Sequence, residues 1–467
     1  MNKIGIGSEK EIRIASMRAA GIALLAGVLL ASAPLAFTQD SAGDIRPAPY
    51  QVAWQDLEFG VIIHFSTNTF LDREWRDGTA NPETFNPTQF DPEQWMKAIR
   101  DSGAKYVVLV AKHHDGFCLW PTAQTNYSIK SSPWKDGKGD VVGDVARAAR
   151  RYGLRFGVYL SPWDRHEPRY SDAAAYDRYY NAQLEELATR YGDLVEFWLD
   201  GAGSAGHVYD FKKIIETLRT YQPNSVVFAD TALFEYGDAR WVGNEAGTVD
   251  YENWNVIDRH GYRRWRPVEA DTPLRKQHWF WHPNDESSLK SLAELLDTYD
   301  RTVGRGAQLM LGLAPDRRGL LAEADVARLE EFGTALRKRA QNNLSLQHSS
   351  MAPEAAAALD NDPDTFWSAP PGSRHATLEV HFDKPITFDH AVTMEWLNDG
   401  QHVEKYAIEI WDESRQGWRA IASGEALGHK KIDQFPAVTA ARIRLNILSS
   451  TDQAHIREFQ LFSWSQP

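Results

Sequence analysis

The sequence predicts an α/β fold: a closed (β/α)8 barrel of the TIM type, followed by an antiparallel β-sandwich. Three observations predict it. Eight short apolar runs, each bounded by Gly, Pro or Asp, alternate with helical stretches over roughly 290 residues, too many for a small open sheet. Polar residues gather just beyond the C-terminal ends of those runs. After Leu344 the helices stop and strand follows strand, as in a sandwich.

The chain begins with a leader. From Met17 it reads Met-Arg-Ala-Ala-Gly-Ile-Ala-Leu-Leu-Ala-Gly-Val-Leu-Leu-Ala-Ser-Ala, a positive charge, an apolar run and then small residues. Residues 1–38 are therefore expected to be a signal peptide and leader, and the mature protein to be exported to the periplasm or the exterior. The rival is a membrane anchor, since Ala19–Phe37 is just long enough to span. After a polar linker the barrel is expected over 45–340. Its strands are Phe59–Phe65, Tyr106–Val110, Leu154–Leu160, Leu194–Leu199, Val226–Ala229, Arg240–Val242, Gln277–Phe280 and Gln308–Leu313. Between them lie helices such as Pro92–Ser102, opened by the N-cap pair Asp91-Pro92, and Val141–Tyr152, Ala173–Tyr191, Tyr209–Tyr221 and Ser288–Gly304. The sandwich is expected over 344–467, with strands Leu378–Phe382, Val392–Leu397, Tyr406–Trp411, Ala441–Ile447 and Ile456–Phe462.

Composition excludes several partners. A formal net charge of -13 opposes nucleic acid and anionic membrane, and no insertion into a membrane is expected once the leader is removed. The lone cysteine, Cys118, permits no internal disulfide and has no basic neighbour in sequence to activate it. Gly201, Gly203 and Gly206 have the spacing of a nucleotide fingerprint but no supporting acidic residue. No cofactor is expected.

The chemistry is expected where the strands end. His64 follows the first strand, with Glu74 and Trp75 in the loop beyond. Lys112-His113-His114-Asp115 follows the second, and Tyr159 closes the third. Asp200 ends the fourth, after Val195-Glu-Phe-Trp-Leu; Asp before Gly is also ordinary helix-capping or turn chemistry. Glu245 follows the sixth, with Glu235, Glu252 and Glu269 as competitors nearby. Trp279, Trp281 and His282 stand near the seventh. Two carboxylates across a barrel mouth are what glycoside hydrolysis needs, one to attack and one to protonate. His64, His113, His114 and Asp200 also suggest a metal-dependent hydrolase. However, adjacent histidines on a strand point to opposite faces, so no metal is expected.

At Lys112-His-His-Asp-Gly-Phe-Cys-Leu-Trp-Pro, Tyr159-Leu-Ser-Pro-Trp-Asp-Arg-His and Phe197-Trp-Leu-Asp-Gly-Ala the chain resembles the α-L-fucosidases of glycoside hydrolase family 29, from about Trp54 to Arg339. Asn68-Thr-Phe, Asp72-Arg-Glu-Trp and Trp241-Val-Gly-Asn-Glu-Ala-Gly resemble the branch acting on α-1,3/1,4-linked fucose. The resemblance implies retention of configuration, with Asp200 as nucleophile and Glu245 as acid/base. It implies a fucose subsite lined by His64, Glu74, Trp75, His113, His114 and Tyr159; Trp281 joins these as a substrate-binding candidate at the mouth. The partner it implies is a fucosylated oligosaccharide or glycoconjugate. Ser66 stands where that branch commonly has Gly, and Leu199 where it commonly has Phe. The tail resembles a discoidin-like sandwich through Leu359-Asp-Asn-Asp-Pro-Asp-Thr-Phe-Trp, a kind of domain that binds sugars or braces its barrel. The other reading is a non-catalytic glycan-binding protein in which the barrel has decayed.

Overall fold

The computed structural model describes residues 45–204, 206–229, 237–259, 262–347 and 353–464. The expected leader and the competitor Glu235 lie outside them. No helix among the described residues is long and apolar enough to cross a membrane.

Eight parallel strands close into a barrel. They are β1 (Phe59–Ile63), β2 (Tyr106–Lys112), β3 (Arg155–Leu160), β4 (Glu196–Leu199), β5 (Val226–Ala229), β6 (Ala239–Trp241), β9 (Val268–Pro273) and β10 (Gln308–Leu313). Between β6 and β9 the chain makes an unforeseen hairpin, β7 (Val256–Arg259) with β8 (Tyr262–Trp265). Alternation sorts the strand residues. Ile62, Tyr106, Val108, Tyr159, Trp198, Phe228 and Met310 pack together inside the ring, while Val61, Ile63, Val107 and Leu109 pack with the surrounding helices. Gly60 is required inside, because a Cβ there would lie 2.3 Å from the Tyr106 ring.

Aspartates start the helices that follow the first four strands. The Asp91 carboxylate accepts the amides of Glu93 and Gln94, Asp140 that of Gly143, Asp172 that of Ala175 and Asp210 that of Lys213. Each satisfies an amide that the first helical turn leaves unpaired.

The seventh strand corrects the sequence reading. It is β9, Val268–Pro273, paired with β6 and β10, and not Gln277–Phe280, which follows it without joining the sheet. The inward positions of β9 are filled by Glu269 and Asp271, so it lacks the apolar run that marks a buried strand. The aromatic run Trp279-Phe280-Trp281 imitates one, but its rings belong to the mouth.

Beyond the helix Glu323–Ala340 comes an antiparallel domain of six strands: β11 (Trp367–Ser368), β12 (Ala376–Glu395), β13 (Val403–Asp412), β14 (Gly417–Gly424), β15 (Lys431–Ser450) and β16 (His455–Phe462), in the order β11-β16-β12-β15-β13-β14. β12 takes in two strands expected separately. Register shifts after His381 and Phe388 carry it from one half of the sheet to the other around a common core of Leu378, Val380, Tyr406, Ile443, Leu445 and Phe459.

This domain grips the barrel by its N-terminal face. Arg457 pairs with Asp56 at 2.6 Å, and Lys430 and His429 with Glu58 at 2.5 and 3.2 Å, all immediately before β1. Ile432 donates its amide to the Gly304 carbonyl before β10, and Gln401 accepts from Asn255. Burial alone raises the Glu58 carboxyl, but Lys430 and His429 outweigh it and hold it far below the usual range. That stability is present above the ordinary glutamate pKa of about 4.3 and is lost as pH falls through the depressed value. Lys430→Met is therefore expected to cost about 1–3 kcal/mol in urea unfolding at neutral pH. The difference from the wild type should shrink below about pH 4.

Candidate active site

The barrel brings the ends of β1 to β4 and the loop after β9 to one place. Asp200, one residue past β4, keeps its side chain 18% exposed. Its Oδ2 accepts the Tyr159 hydroxyl at 2.8 Å and faces His114 Nε2 at 3.4 Å; its Oδ1 accepts the Ala202 amide at 2.8 Å. Burial raises the carboxyl, but His114 and the three hydrogen bonds outweigh it, and the net shift is downward. Asp200 is an anion held in a poorly hydrated place. Gly203 shapes the loop behind it: φ is +75°, and a Cβ would run into the Trp163 ring.

Around the carboxylate stand imidazoles with different duties. His114 Nδ1 lies 2.7 Å from Ser161 Oγ, whose own proton goes to the Trp163 carbonyl at 2.7 Å. Nδ1 must therefore be the donor in that pair. His64 and His113 are buried. Burial lowers His64 to about 3 and His113 well below its ordinary value, so both are neutral at working pH. Their Nδ1 atoms are buried with no protein partner. Rings close the pocket: His64 lies 5.2 Å from Trp279 and 5.3 Å from Phe280, His113 5.1 Å from Phe280. Trp75 is 52% exposed, with its ring 4.9 Å from His114 and 5.8 Å from Trp163.

Other expected residues are placed differently. Glu74 turns its carboxylate to the protein: it accepts the Trp279 and Phe280 amides at 3.0 and 3.1 Å and His282 Nε2 at 2.6 Å. Trp281 lies under Arg317, at 5.6 Å; its neighbours Trp279 and Phe280 are the rings that reach His64. Glu245 lies on an exposed turn after β6, and the carboxyl it acts on electrostatically is Asp271. Among the described residues no three His, Cys, Asp or Glu side chains converge as a metal site.

One acid escaped the sequence reading, and a second figured there only as a competitor to Glu245. Asp271 is buried on β9 and accepts Trp241 Nε1 at 2.6 Å. Burial, with the nearby charges of Glu245 and Glu269, keeps it protonated well above the usual range. Glu269 lies two residues before it and accepts Trp198 Nε1 at 2.5 Å and the Tyr106 hydroxyl at 3.2 Å. It faces Glu196, and burial raises both carboxyls. The only signal for Asp271 was its i, i+2 spacing from Glu269.

An anionic carboxylate roofed by aromatic rings and neutral imidazoles, at the C-terminal mouth of a (β/α)8 barrel, is the machinery of a glycoside hydrolase. The family is settled by comparison. A family model described as Alpha-L-fucosidase matches residues 31–341, and one described as F5/8 type C domain matches 340–459. Alpha-L-fucosidase 1 of Arabidopsis thaliana is 35% identical over 85% of this chain and 83% of its own length. A Ruminococcus gnavus fucosidase of glycoside hydrolase family 29, solved in complex with fucose, is 28% identical with a TM-score of 0.82, covering 90% of this chain and 95% of that one. A family 29 member from an unknown rumen bacterium is 32% identical with a TM-score of 0.79, covering 91% of this chain and 78% of that one. The chain belongs to the α-L-fucosidase family, glycoside hydrolase family 29, and carries a C-terminal F5/8 type C domain.

The raised carboxyls of Glu196 and Glu269 have a measurable consequence. Raised carboxyl values mean that the folded state binds more protons than the unfolded one, so stability falls as pH rises past the ordinary glutamate range. Glu269→Gln is expected to flatten that decline by about 1–3 kcal/mol between about pH 5 and 8, read by denaturant unfolding.

Proposed function

We propose that this α-L-fucosidase is an exported, retaining exo-enzyme that releases terminal α-1,3/1,4-linked L-fucose from branched glycans. The observation that carries the mechanism is the setting of Asp200, an ionised carboxylate held by Tyr159, Ala202 and His114 at the open end of the barrel. The linkage rests on the resemblance of Asn68-Thr-Phe, Asp72-Arg-Glu-Trp and Trp241-Val-Gly-Asn-Glu to that branch. Export rests on the leader pattern.

In the first step an Asp200 oxygen attacks the anomeric carbon. The bond to the aglycone oxygen breaks, and that oxygen takes a proton from Glu245. A covalent fucosyl-enzyme and a free acceptor hydroxyl result. In the second step Glu245 takes a proton from water as the water oxygen attacks the same carbon, and the Asp200–fucose bond breaks. Each attack inverts the centre, so the net outcome is retention. The reaction requires the exposed Glu245 turn to bring its carboxyl within about 5–5.5 Å of Asp200 over bound substrate.

Neutral His64 and His113 suit a sugar pocket. Each offers a buried ring nitrogen that lacks a protein partner, and a buried polar group of that kind strongly favours a hydroxyl over nothing. Trp75 and Trp279 supply apolar faces for the sugar's C–H surface. That a Ruminococcus gnavus fucosidase of the same family is solved in complex with fucose supports fucose as the sugar.

Replacing Asp200 with Gly is expected to lower turnover of an aryl α-L-fucoside by about 10³-fold or more. Azide should restore turnover and yield the β-fucosyl azide, while the wild type releases α-fucose first by NMR. Wild-type turnover in the variant rejects the nucleophile. Glu245→Ala should cost far more on oligosaccharides, whose leaving oxygen needs a proton, than on activated aryl fucosides. Equal losses on both substrates would move the acid/base role to another carboxyl, with Asp271 the first to test.

A further inference from the structure

His282 occupies a position that the mechanism above does not use. Its Nδ1 lies 2.5 Å from Asp72 Oδ1 and its Nε2 2.6 Å from Glu74 Oε1. A neutral imidazole has one N–H and one lone pair, and a lone pair cannot face a carboxylate at that distance. Both contacts together require the imidazolium. The bridge has a direction: Asp72 and Glu74 come from the loop after β1, His282 from the segment after β9. Two further bonds reinforce the same junction, since Glu74 also accepts the backbone amides of Trp279 and Phe280. Those residues carry the rings that lie against His64, and Phe280 lies against His113 as well.

We propose that His282 is a positioning residue: as an imidazolium bridging Asp72 and Glu74, it fixes the Glu74 carboxylate and through it the Trp279–Phe280 wall of the sugar pocket. This rests on the fucose-pocket reading given above. Glu74 anchors that wall with both oxygens, and Oε2 has a single protein donor, leaving it room to accept a hydroxyl of the sugar. Without the cation the Asp72 and Glu74 carboxylates lose their shared partner, and among the described residues the Trp279 and Phe280 amides are left as the donors holding the Glu74 side chain.

The clamp is sensitive to pH. Burial lowers His282, but the bonds to Glu74 and Asp72 outweigh it, and the net shift is above 6.5. The bridge is therefore intact below that value and fails as pH rises through the elevated one. The charged and titratable neighbours are few. From its own segment His278 packs at 4.4 Å between ring centroids and is itself bonded to Asp285 at 2.8 Å. From the loop after β1 come Asp72 and Glu74. From the loop after β10, Arg317 covers the adjoining Trp281.

Two variants of the full chain separate positioning from bulk stability. His282→Gln keeps an N–H for Glu74 but no charge, and His282→Leu keeps neither. On an aryl α-L-fucoside at about pH 6, the Leu variant is expected to raise KM about 10-fold with kcat within about 3-fold. The Gln variant should raise KM about 3-fold, with a KM that no longer climbs at alkaline pH as the wild type's does. Amide hydrogen exchange, which needs no turnover, should speed at Trp279 and Phe280 by about 10-fold in the Leu variant. A Gln variant with the wild-type alkaline rise in KM, or unchanged exchange at those two amides, overturns the proposal. If the Leu variant fails to fold, the Gln pH profile and exchange decide alone. If the wild type fails to hydrolyse the fucoside, the fucose-pocket reading falls, and exchange in the Gln variant still tests the clamp.

Discussion

The mouth of the barrel depends on keeping one carboxylate charged where water is scarce. Burying a lone anion is costly unless donors replace its hydration, and Asp200 has three, each from a different kind of source. The Ala202 amide comes from the turn that follows, the Tyr159 hydroxyl from the neighbouring strand, and His114 from the strand after that. Only a closed ring with strands in this register brings such groups together. The neutrality of His64 and His113 belongs to the same constraint: two cations there would compete for the Asp200 charge, whereas neutral rings still offer hydrogen bonds without doing so.

The barrel interior shows that burial alone does not set a carboxyl's state. Glu269, Asp271 and Asp200 are all withdrawn from solvent, yet the first two are pushed up and the third down. What differs is the company. Glu269 has two neutral donors, but another acid, Glu196, lies against it. Asp271 has the Trp241 indole and feels the charges of Glu245 and Glu269. Asp200 has a backbone amide, a phenol and an imidazole, with no acid opposite. One fold thus holds protonated and ionised carboxyls within a few strand positions of each other, the separation of roles that acid–base catalysis on sugars exploits.

Much of this was legible in the sequence, for identifiable reasons. Six of the eight barrel strands carry apolar residues on both faces, and Asp91, Asp140 and Asp172 mark helix starts by their own chemistry. His64, His113, His114, Tyr159 and Asp200 were legible as a group because a parallel barrel sends every strand's C-terminal end to the same side. β9 was not legible, because its inward residues are Glu269 and Asp271 and an apolar scan passes over them. The same cause displaced the eye to Trp279-Phe280-Trp281, and with it the choice of Trp281 over Trp279 and Phe280 as the rings against His64. Which way a ring in an irregular segment turns is decided by tertiary contacts, here the two amides that Glu74 accepts, and no periodicity records it.

The two ends of the barrel are thus built on opposite principles. At the N-terminal end the added domain surrounds Glu58 with Lys430 and His429 and pairs Asp56 with Arg457, so each acid meets a dedicated cation in a contact that nothing in the reaction needs to break. At the C-terminal end Asp200 meets a backbone amide, a phenol and His114, Glu74 meets two amides and His282, and Glu245 lies on an exposed turn. A domain fastened to the first end braces the ring there, through Asp56, Glu58 and the Gly304 carbonyl.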